Sequence, residues 1–227
     1  MRRLLVSADD FHQEYVPLER VRNAIDAARA LSIAVTVQCL VTASSKKSDH
    51  YRESLDLFDG DGVECSEIPC SPIGSAARRI AGSEFPPRTD ALQQYCSMLS
   101  PIVVMPDGAV YLCCGPAFAT PALLAGNLRG ESLEDILERA EWDPLLNALA
   151  VSNGPALVAE TLARLGRGDV VAPGYPTSCA ACHQLLTSPG VDDQVRGGLE
   201  DQRAELFLKR MILEQESVDD LKAMFRL

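Results

Sequence analysis

The stretch LLVSADDFHQEYVPLERVRNAIDAARALSIAVTVQCLVT, Leu4 to Thr42, decides the fold class of the amino-terminal part. Its opening run, LLVSAD (Leu4 to Asp9), is apolar and ends in small and acidic residues, the pattern of a buried strand whose carboxyl end borders a site. Across Leu18 to Leu31, Val21, Ala24, Ile25 and Ala28 recur at helical spacing, while Glu19, Arg20, Arg22, Asp26 and Arg29 fall mostly on other faces. Ile33 to Thr42 is a second β-branched run. Strand, helix and strand in that order make a crossover unit of a parallel sheet, because parallel neighbours need a long connection between them.

Working outward, a polar loop around SSKKSDH precedes a short helix near Tyr51 to Phe58, and Val63 to Pro72 (VECSEIPCSP) reads as a third strand. Proline, glycine and polar residues then cluster at Gly82 to Asp90, GSEFPPRTD, which marks a domain boundary. Beyond it, PIVVMPDGAVYLCC holds two β-rich runs joined by Pro-Asp-Gly, with Gly108 supplying a positive φ at the turn. ESLEDILERAEWDPLL reads as one helix capped by Ser132 with Asp135 behind it, and a further helix is expected over Pro155 to Leu165. The segment from about Asp201 to Leu227 reads as a charged amphipathic helix or helix pair whose charged face is solvated.

The chain has 227 residues, 47% of them hydrophobic, enough to bury a core. Its formal net charge of -11, with no concentration of Lys and Arg, excludes a general nucleic-acid binder. No stretch approaches the roughly 20 apolar residues of a membrane helix, and the opening MRRLLVSADDF turns acidic before a signal-peptide core could form, so a cytoplasmic protein is expected.

Eight cysteines in such a chain point to metal or cluster ligation rather than to disulfides, since the cytosol keeps thiols reduced. Four of them are patterned. Eleven residues separate Cys96 from Gly108 and four separate Gly108 from Cys113; the pair Cys179-Ala-Ala-Cys182 comes about sixty-five residues later. A hairpin lets Cys96 and Cys113 converge with the glycine turn at its far end, and a CxxC loop supplies two thiolates from adjacent backbone. Four thiolates suit either an iron–sulfur cluster or a zinc ion held by all four cysteines, which would staple a non-catalytic module. Cys114, next to Cys113, and Cys39, Cys65 and Cys70, in or beside apolar strands, read as packed thiols.

The pattern Cys-x11-Gly-x4-Cys, followed by GNLRGESLEDIL and a late CxxC, resembles the twitch or SPASM extension of radical S-adenosylmethionine enzymes. No cysteine follows Cys182, so the shorter, single-cluster twitch form is the better match. The resemblance extends backwards, since VSADDFHQEYVP with its helix and apolar strand is similar to the fourth strand, helix and fifth strand of the family's partial barrel, and IPCSPIGSAAR to its sixth strand. It implies an α/β fold: a partial (half) TIM-like barrel over residues 1–88, a small α+β twitch/SPASM-like domain over 89–190 and a helical tail over 191–227. It also implies one auxiliary [4Fe–4S] cluster on Cys96, Cys113, Cys179 and Cys182, and S-adenosylmethionine in the intact enzyme, with Ser7 and Asp9 matching fourth-strand positions near its nucleoside. From the residues alone, Ser7 and Asp9 fit a helix-capping, loop-closing role equally well.

The implied activity is that of an oxidoreductase acting on a peptide or natural-product precursor. The CxxxCxxC loop that carries the family's catalytic cluster does not occur in this sequence. The expectation is therefore the carboxy-terminal part of such an enzyme, or a degenerate relative. His12 reads first as an exposed or locally hydrogen-bonded histidine and second as a substrate-facing group. His183, beside a candidate ligand, reads as a shield for the cluster, and His50 as a loop residue.

Overall fold

A computed structural model describes residues 3–58, 62–93, 102–113, 120–151 and 154–213. The chain divides into two compact units, Met1–Pro86 and Pro87–Leu227.

The first unit is built on a parallel sheet. Strands β1 (Arg3–Ser7), β2 (Ala34–Val41) and β3 (Val63–Pro69) lie side by side in chain order, as the alternation of strand and helix in the sequence implies. Helix α1 (Asp10–Gln13) is a single turn after β1; α2 (Leu18–Ala30) crosses over to β2, and α3 (Ser48–Ser54) crosses over to β3. Leu4, Val6, Val35, Val37, Cys39, Val63 and Cys65 form one face of the sheet and pack with Val21, Ile25 and Ala28 of α2 and with Tyr51, Leu55 and Leu57. Helix α3 lies a few residues earlier than the sequence suggested. It ends at Ser54, with Leu55 as its cap, because Asp56 takes the left-handed conformation, φ 55°. Strand β3 likewise stops at Pro69, and α4 (Ser75–Arg79) follows.

The second unit combines a small antiparallel sheet with a helical core. Strands β4 (Val103–Val104) and β5 (Ala109–Tyr111) form the expected hairpin, and β6 (Leu124–Asn127), which has no alternating pattern, pairs on the other side of β5. The loop Pro106–Gly108 is closed by Gly108 N–H donating to the Met105 carbonyl at 2.9 Å and Met105 N–H donating to the Ala109 carbonyl at 2.8 Å. Glycine is needed at 108 twice over: its φ is +87°, and a Cβ there would lie 2.8 Å from Asn127 Oδ1.

Ser132 caps α5 (Leu133–Glu141), accepting from Asp135 N–H at 3.1 Å and donating to the Asp135 carboxylate at 2.6 Å. The single helix expected through Leu146 is in fact two. Pro144 starts a new helix, α6 (Pro144–Ala150), and Asp143 caps it by accepting from the N–H groups of Leu145 and Leu146. Helices α7 (Gly154–Arg164), α8 (Ser178–Leu186) and α9 (Val191–Leu199) complete the core with residues 203–213, which are also helical. Leu145, Leu162, Leu185, Val191, Val195 and Leu199 are fully buried together.

Asp143 has a second task. Its other carboxylate oxygen accepts from Arg196 Nε at 2.8 Å, and Arg196 Nη2 also donates to the Ala122 carbonyl at 2.8 Å, which ties α9 to α6 and to the segment before β6. Replacing Asp143 by Ala removes a helix cap and the partner of a half-buried guanidinium, so a loss of about 1–3 kcal/mol is expected. Chemical denaturation monitored by circular dichroism measures it.

Candidate metal centre

Cys179 and Cys182 are not in a loop, as the sequence suggested, but in the opening turns of α8. Thr177 caps that helix, its hydroxyl accepting from Ala180 N–H at 3.0 Å. Spaced i and i+3, the two cysteines are neighbours on the surface of α8, whose Ala181, Leu185 and Leu186 are buried in the core that Cys182 also packs against. Backbone N–H groups at a helix start favour negative charge nearby, so this position promotes the thiolate form that metal and cluster ligation requires.

Cys113 lies two residues past the end of β5, carried there by the hairpin. It is half-buried and packs on the same hydrophobic cluster as Cys182. The remaining candidate ligand, Cys96, lies outside the described residues, as does Cys114. The segment that leads towards Cys96 is placed beside α8: the 3₁₀ turn Ala91–Gln93 packs against α7 and α8, and Ala91 is buried. Just before it, Arg88 and Tyr175 form an antiparallel bridge, Arg88 N–H donating to Tyr175 O at 2.9 Å and Tyr175 N–H to Arg88 O at 3.3 Å. The Tyr175 hydroxyl accepts from Ala172 N–H at 2.9 Å. Gly174 allows the approach, since a Cβ there would lie 3.2 Å from the Pro87 side chain and 3.4 Å from the Arg88 carbonyl.

Thus Cys113, Cys179 and Cys182 are held in one unit, half-buried, with donors of one chemical type. Among the described residues no three His, Cys, Asp or Glu side chains are gathered closely enough to hold a metal ion. The donor set fits an iron–sulfur cluster in kind, being all thiolate, with two of its members at a helix start. His183 is half-buried beside Cys182.

The thiols of the first unit behave differently. Cys39 is fully buried, and desolvation, followed by the nearby charges of Cys65, Asp9 and Glu67, pushes its pKa up to about 12. Burial also raises Cys70, with Asp9 contributing. Both are packed neutral thiols.

At the carboxyl end of β1, Asp9 is fully buried and Ser7 half-buried. Asp9 Oδ1 accepts from the N–H groups of Phe11 and His12 at 3.0 and 2.9 Å, which caps α1; Oδ2 accepts from Leu40 N–H at 3.1 Å, which ties β1 to β2. His12 Nδ1 completes the set at 2.8 Å. The capping role weighed from the sequence is therefore present. Beside it, Asp10 accepts from Tyr51 Oη at 2.8 Å and from Lys46 N–H at 3.0 Å. Burial and donation to this carboxylate both raise the Tyr51 pKa, burial being the larger cause.

The loop after β2 is fastened in a similar way. Glu84 Oε2 accepts from Ser44 N–H at 2.9 Å and from the Ser44 and Thr42 hydroxyls at 2.8 Å each. These bonds, that from the Ser44 backbone first, hold the Glu84 carboxyl below its ordinary range.

Residues 96–183 match the family model of the SPASM iron–sulfur cluster-binding domain, so the matched segment starts on Cys96 and ends one residue past Cys182. Over 150 residues the chain is 28% identical to a Bacillus subtilis (strain 168) protein named for peptide biosynthesis, YydG; the alignment takes in 63% of this chain and 45% of that protein. The second unit thus carries an iron–sulfur cluster-binding domain of the SPASM class. The chain spans less than half the length of that relative. No helix among the described residues is long and apolar enough to cross a membrane.

The lowered Glu84 pKa makes a pH prediction. A carboxylate whose folded pKa is depressed contributes stability that is fully present above its unfolded pKa, about 4.5, and is lost as pH falls through the lower folded value. The Thr42–Ser44 loop should therefore loosen below about pH 4.5. Amide exchange at Ser44, measured from pH 6 to pH 3 and corrected for intrinsic rates, should show this in the native protein and lose the dependence in Glu84→Gln.

Proposed function

We propose that this chain is the cluster-bearing part of a radical S-adenosylmethionine oxidoreductase that modifies a peptide, with Cys96, Cys113, Cys179 and Cys182 as the ligands of one auxiliary [4Fe–4S] cluster. The observation that carries the reading is the family match bounded by Cys96 and His183, read with the placement of Cys179 and Cys182 at the start of α8. The Arg88–Tyr175 bridge supports it, because it aligns the approach to Cys96 with the approach to the CxxC. Such a cluster, when bound, supplies a one-electron carrier or an anchoring iron. The chain's own residues hold the thiolates in place: α8 presents two of them on one face, and the β4–β5 hairpin delivers Cys113.

In this reading residues 1–88 are the carboxy-terminal part of a partial TIM-like barrel, 89–190 the twitch/SPASM-like domain and 191–227 its helical tail. The three-stranded parallel sheet supports the first assignment, with helix α2 packed on one of its faces. Ser7 borders the nucleoside of S-adenosylmethionine at the carboxyl end of β1, where open parallel sheets place ligands, and Asp9 acts from beneath through its hydrogen bonds. A peptide substrate agrees with the name of the Bacillus relative, and reduced thiols agree with a cytoplasmic setting.

Anaerobic reconstitution with iron and sulfide tests the cluster assignment. Metal analysis should give about four irons and four sulfides per chain, with the broad charge-transfer absorption of a cluster. Cys179→Ser and Cys182→Ser should each lose most of the iron, whereas Cys39→Ala should keep it. Stoichiometric zinc with no sulfide uptake would replace the cluster by a structural zinc site on the same four cysteines. Because no CxxxCxxC loop occurs in this sequence, the reconstituted chain supplied with dithionite and S-adenosylmethionine is expected to form no 5′-deoxyadenosine above the Cys182→Ser control.

A further inference from the structure

A buried hydroxyl near the candidate metal centre lacks a hydrogen-bond partner among the described residues. Thr120 is only 1% exposed, and it is the Oγ1 of this side chain that is left without a partner. Thr120 precedes the 3₁₀ turn Pro121–Leu123 without capping it through its side chain, while its carbonyl accepts from Leu123 N–H at 3.0 Å. The buried threonines of the first unit are paired: Thr36 accepts from Arg3, and Thr42 donates to Glu84. A hydroxyl taken out of water with no partner costs about 1–3 kcal/mol, which a valine of nearly the same shape would avoid. The position therefore calls for an acceptor that the described residues do not supply.

Its place in the fold points to sulfur. Strands β5 and β6 run antiparallel, and Tyr111 opposite Leu124 is their last register pair. Beyond that pair one strand leads to Cys113 and the other is entered from Thr120. Cys113 is two residues out, about 7 Å of extended chain. Thr120 is four residues out, but a 3₁₀ turn rising about 2 Å per residue shortens that path to about 8–9 Å. Neighbouring strands lie about 4.8 Å apart, so both residues stand at one end of the small sheet and at a similar distance beyond it. Ala122 and Leu123 are buried in the core on which Cys113 and Cys182 pack, and Arg196 holds the turn through the Ala122 carbonyl at 2.8 Å. A bridging water fits poorly as the partner, because it needs two or more polar groups. Pro121 has no N–H, the carbonyls of Thr120 and Ala122 already accept, and Ala119, Pro121, Ala122 and Leu123 bring no polar side chain.

We propose that the Thr120 hydroxyl donates a hydrogen bond to sulfur on the Cys113 side of the iron–sulfur cluster, either the Cys113 thiolate or a neighbouring sulfide, and so raises the reduction potential of that cluster. This rests on the reading of Cys113 as a cluster ligand. One-electron reduction adds negative charge to the sulfurs, so a donor aimed at them stabilises the reduced state more than the oxidised one.

The test is a titration of the anaerobically reconstituted full chain with dithionite, followed by electron paramagnetic resonance of the reduced cluster. Thr120→Val should keep the native iron and sulfide content but need a lower potential for the same degree of reduction. The expected size is a tenfold lower ratio of reduced to oxidised cluster at fixed potential, about 59 mV for a one-electron couple. Thr120→Ser, which keeps the hydroxyl, should stay near the native midpoint. Without iron, Thr120→Val should be no less stable to denaturant than the native chain, since the hydroxyl it removes is unpaired there. Electron–nuclear double resonance of the reduced native cluster should show a proton that exchanges in deuterium oxide and is missing from Thr120→Val. An unchanged midpoint in Thr120→Val with a full cluster, or a cluster-free Thr120→Val that is destabilised, overturns the proposal and leaves the cluster reading intact. If Thr120→Val takes up no iron, the native spectrum decides, and a native cluster with no exchangeable coupled proton overturns the proposal. Stoichiometric zinc without sulfide in the native chain removes the cluster reading and this proposal together.

Discussion

The second unit depends on one short antiparallel bridge. Arg88 and Tyr175 are 87 positions apart, yet two backbone hydrogen bonds align them, and the chain runs from this bridge to the 3₁₀ turn Ala91–Gln93 on one side and to α8 on the other. Closing so long a loop costs chain entropy that two hydrogen bonds do not offset. The stabilisation comes from what the bridge brings together. Tyr175 is buried, the turn packs on α7 and α8, and Leu162, Leu185 and Val191 share one core with them. The segments that carry the candidate cysteines are therefore supported by a hydrophobic core, and a cluster bound there would not have to supply all the energy of folding, as the metal must in the smallest metal-stapled domains.

The same arrangement explains why the CxxC is helical. In a loop, two thiolates would be free to turn away from each other or to pair as a disulfide. On the first turns of α8 the i, i+3 spacing keeps them neighbours, and the buried Ala181, Leu185 and Leu186 fix the helix in the core. The helix start also favours negative charge nearby, which thiolate ligands would carry. The thiols buried in the first unit are kept protonated by desolvation, as the raised pKa of Cys39 shows. Two populations of cysteine thus follow from two environments, one at a helix start and half-buried, the other inside a parallel sheet.

Much of this was legible in the sequence where one strong local signal had no competitor. Leu4 to Thr42 reads as strand, helix and strand because the helical spacing of Val21, Ile25 and Ala28 sits between two β-branched runs, and the order β1–β2–β3 follows from the crossovers. Pro-Asp-Gly gives the hairpin, and Ser132 with Asp135 gives the start of α5. The cysteine spacing pointed to the segment that the SPASM model matches. What was missed depended on tertiary partners. Strand β6, Leu124–Asn127, has no alternation of its own and exists because β5 offers an unpaired edge. The division of α5 from α6 was readable in Asp143-Pro144, a cap followed by a first-turn proline, but the apolar pattern running through Leu145 and Leu146 hid it. The bridge at Arg88 and Tyr175 left only Gly174 as a trace, and one glycine between two prolines in APGYP looks like any loop.

The second face of the sheet in the first unit bears on what that sheet is for. A sheet face that packs on a second layer of the same domain reads as continuously apolar. Here the helix-covered face does so, with Val35, Val37, Cys39 and Val63 all buried. The other face instead carries Ser7, Gln38 and Ser66 in one register row, with Leu5 exposed to 56% on the amino-terminal side of that row and Ile68 to 39% on the other. Buried polar side chains need partners, and a row of three would be costly under a layer of helices that could not bond them all. The row is consistent with a face that meets water and a ligand rather than another hydrophobic layer. The burial of Asp9 at the end of β1 follows the same logic, because three backbone donors and a histidine give its buried oxygens hydrogen-bond partners there.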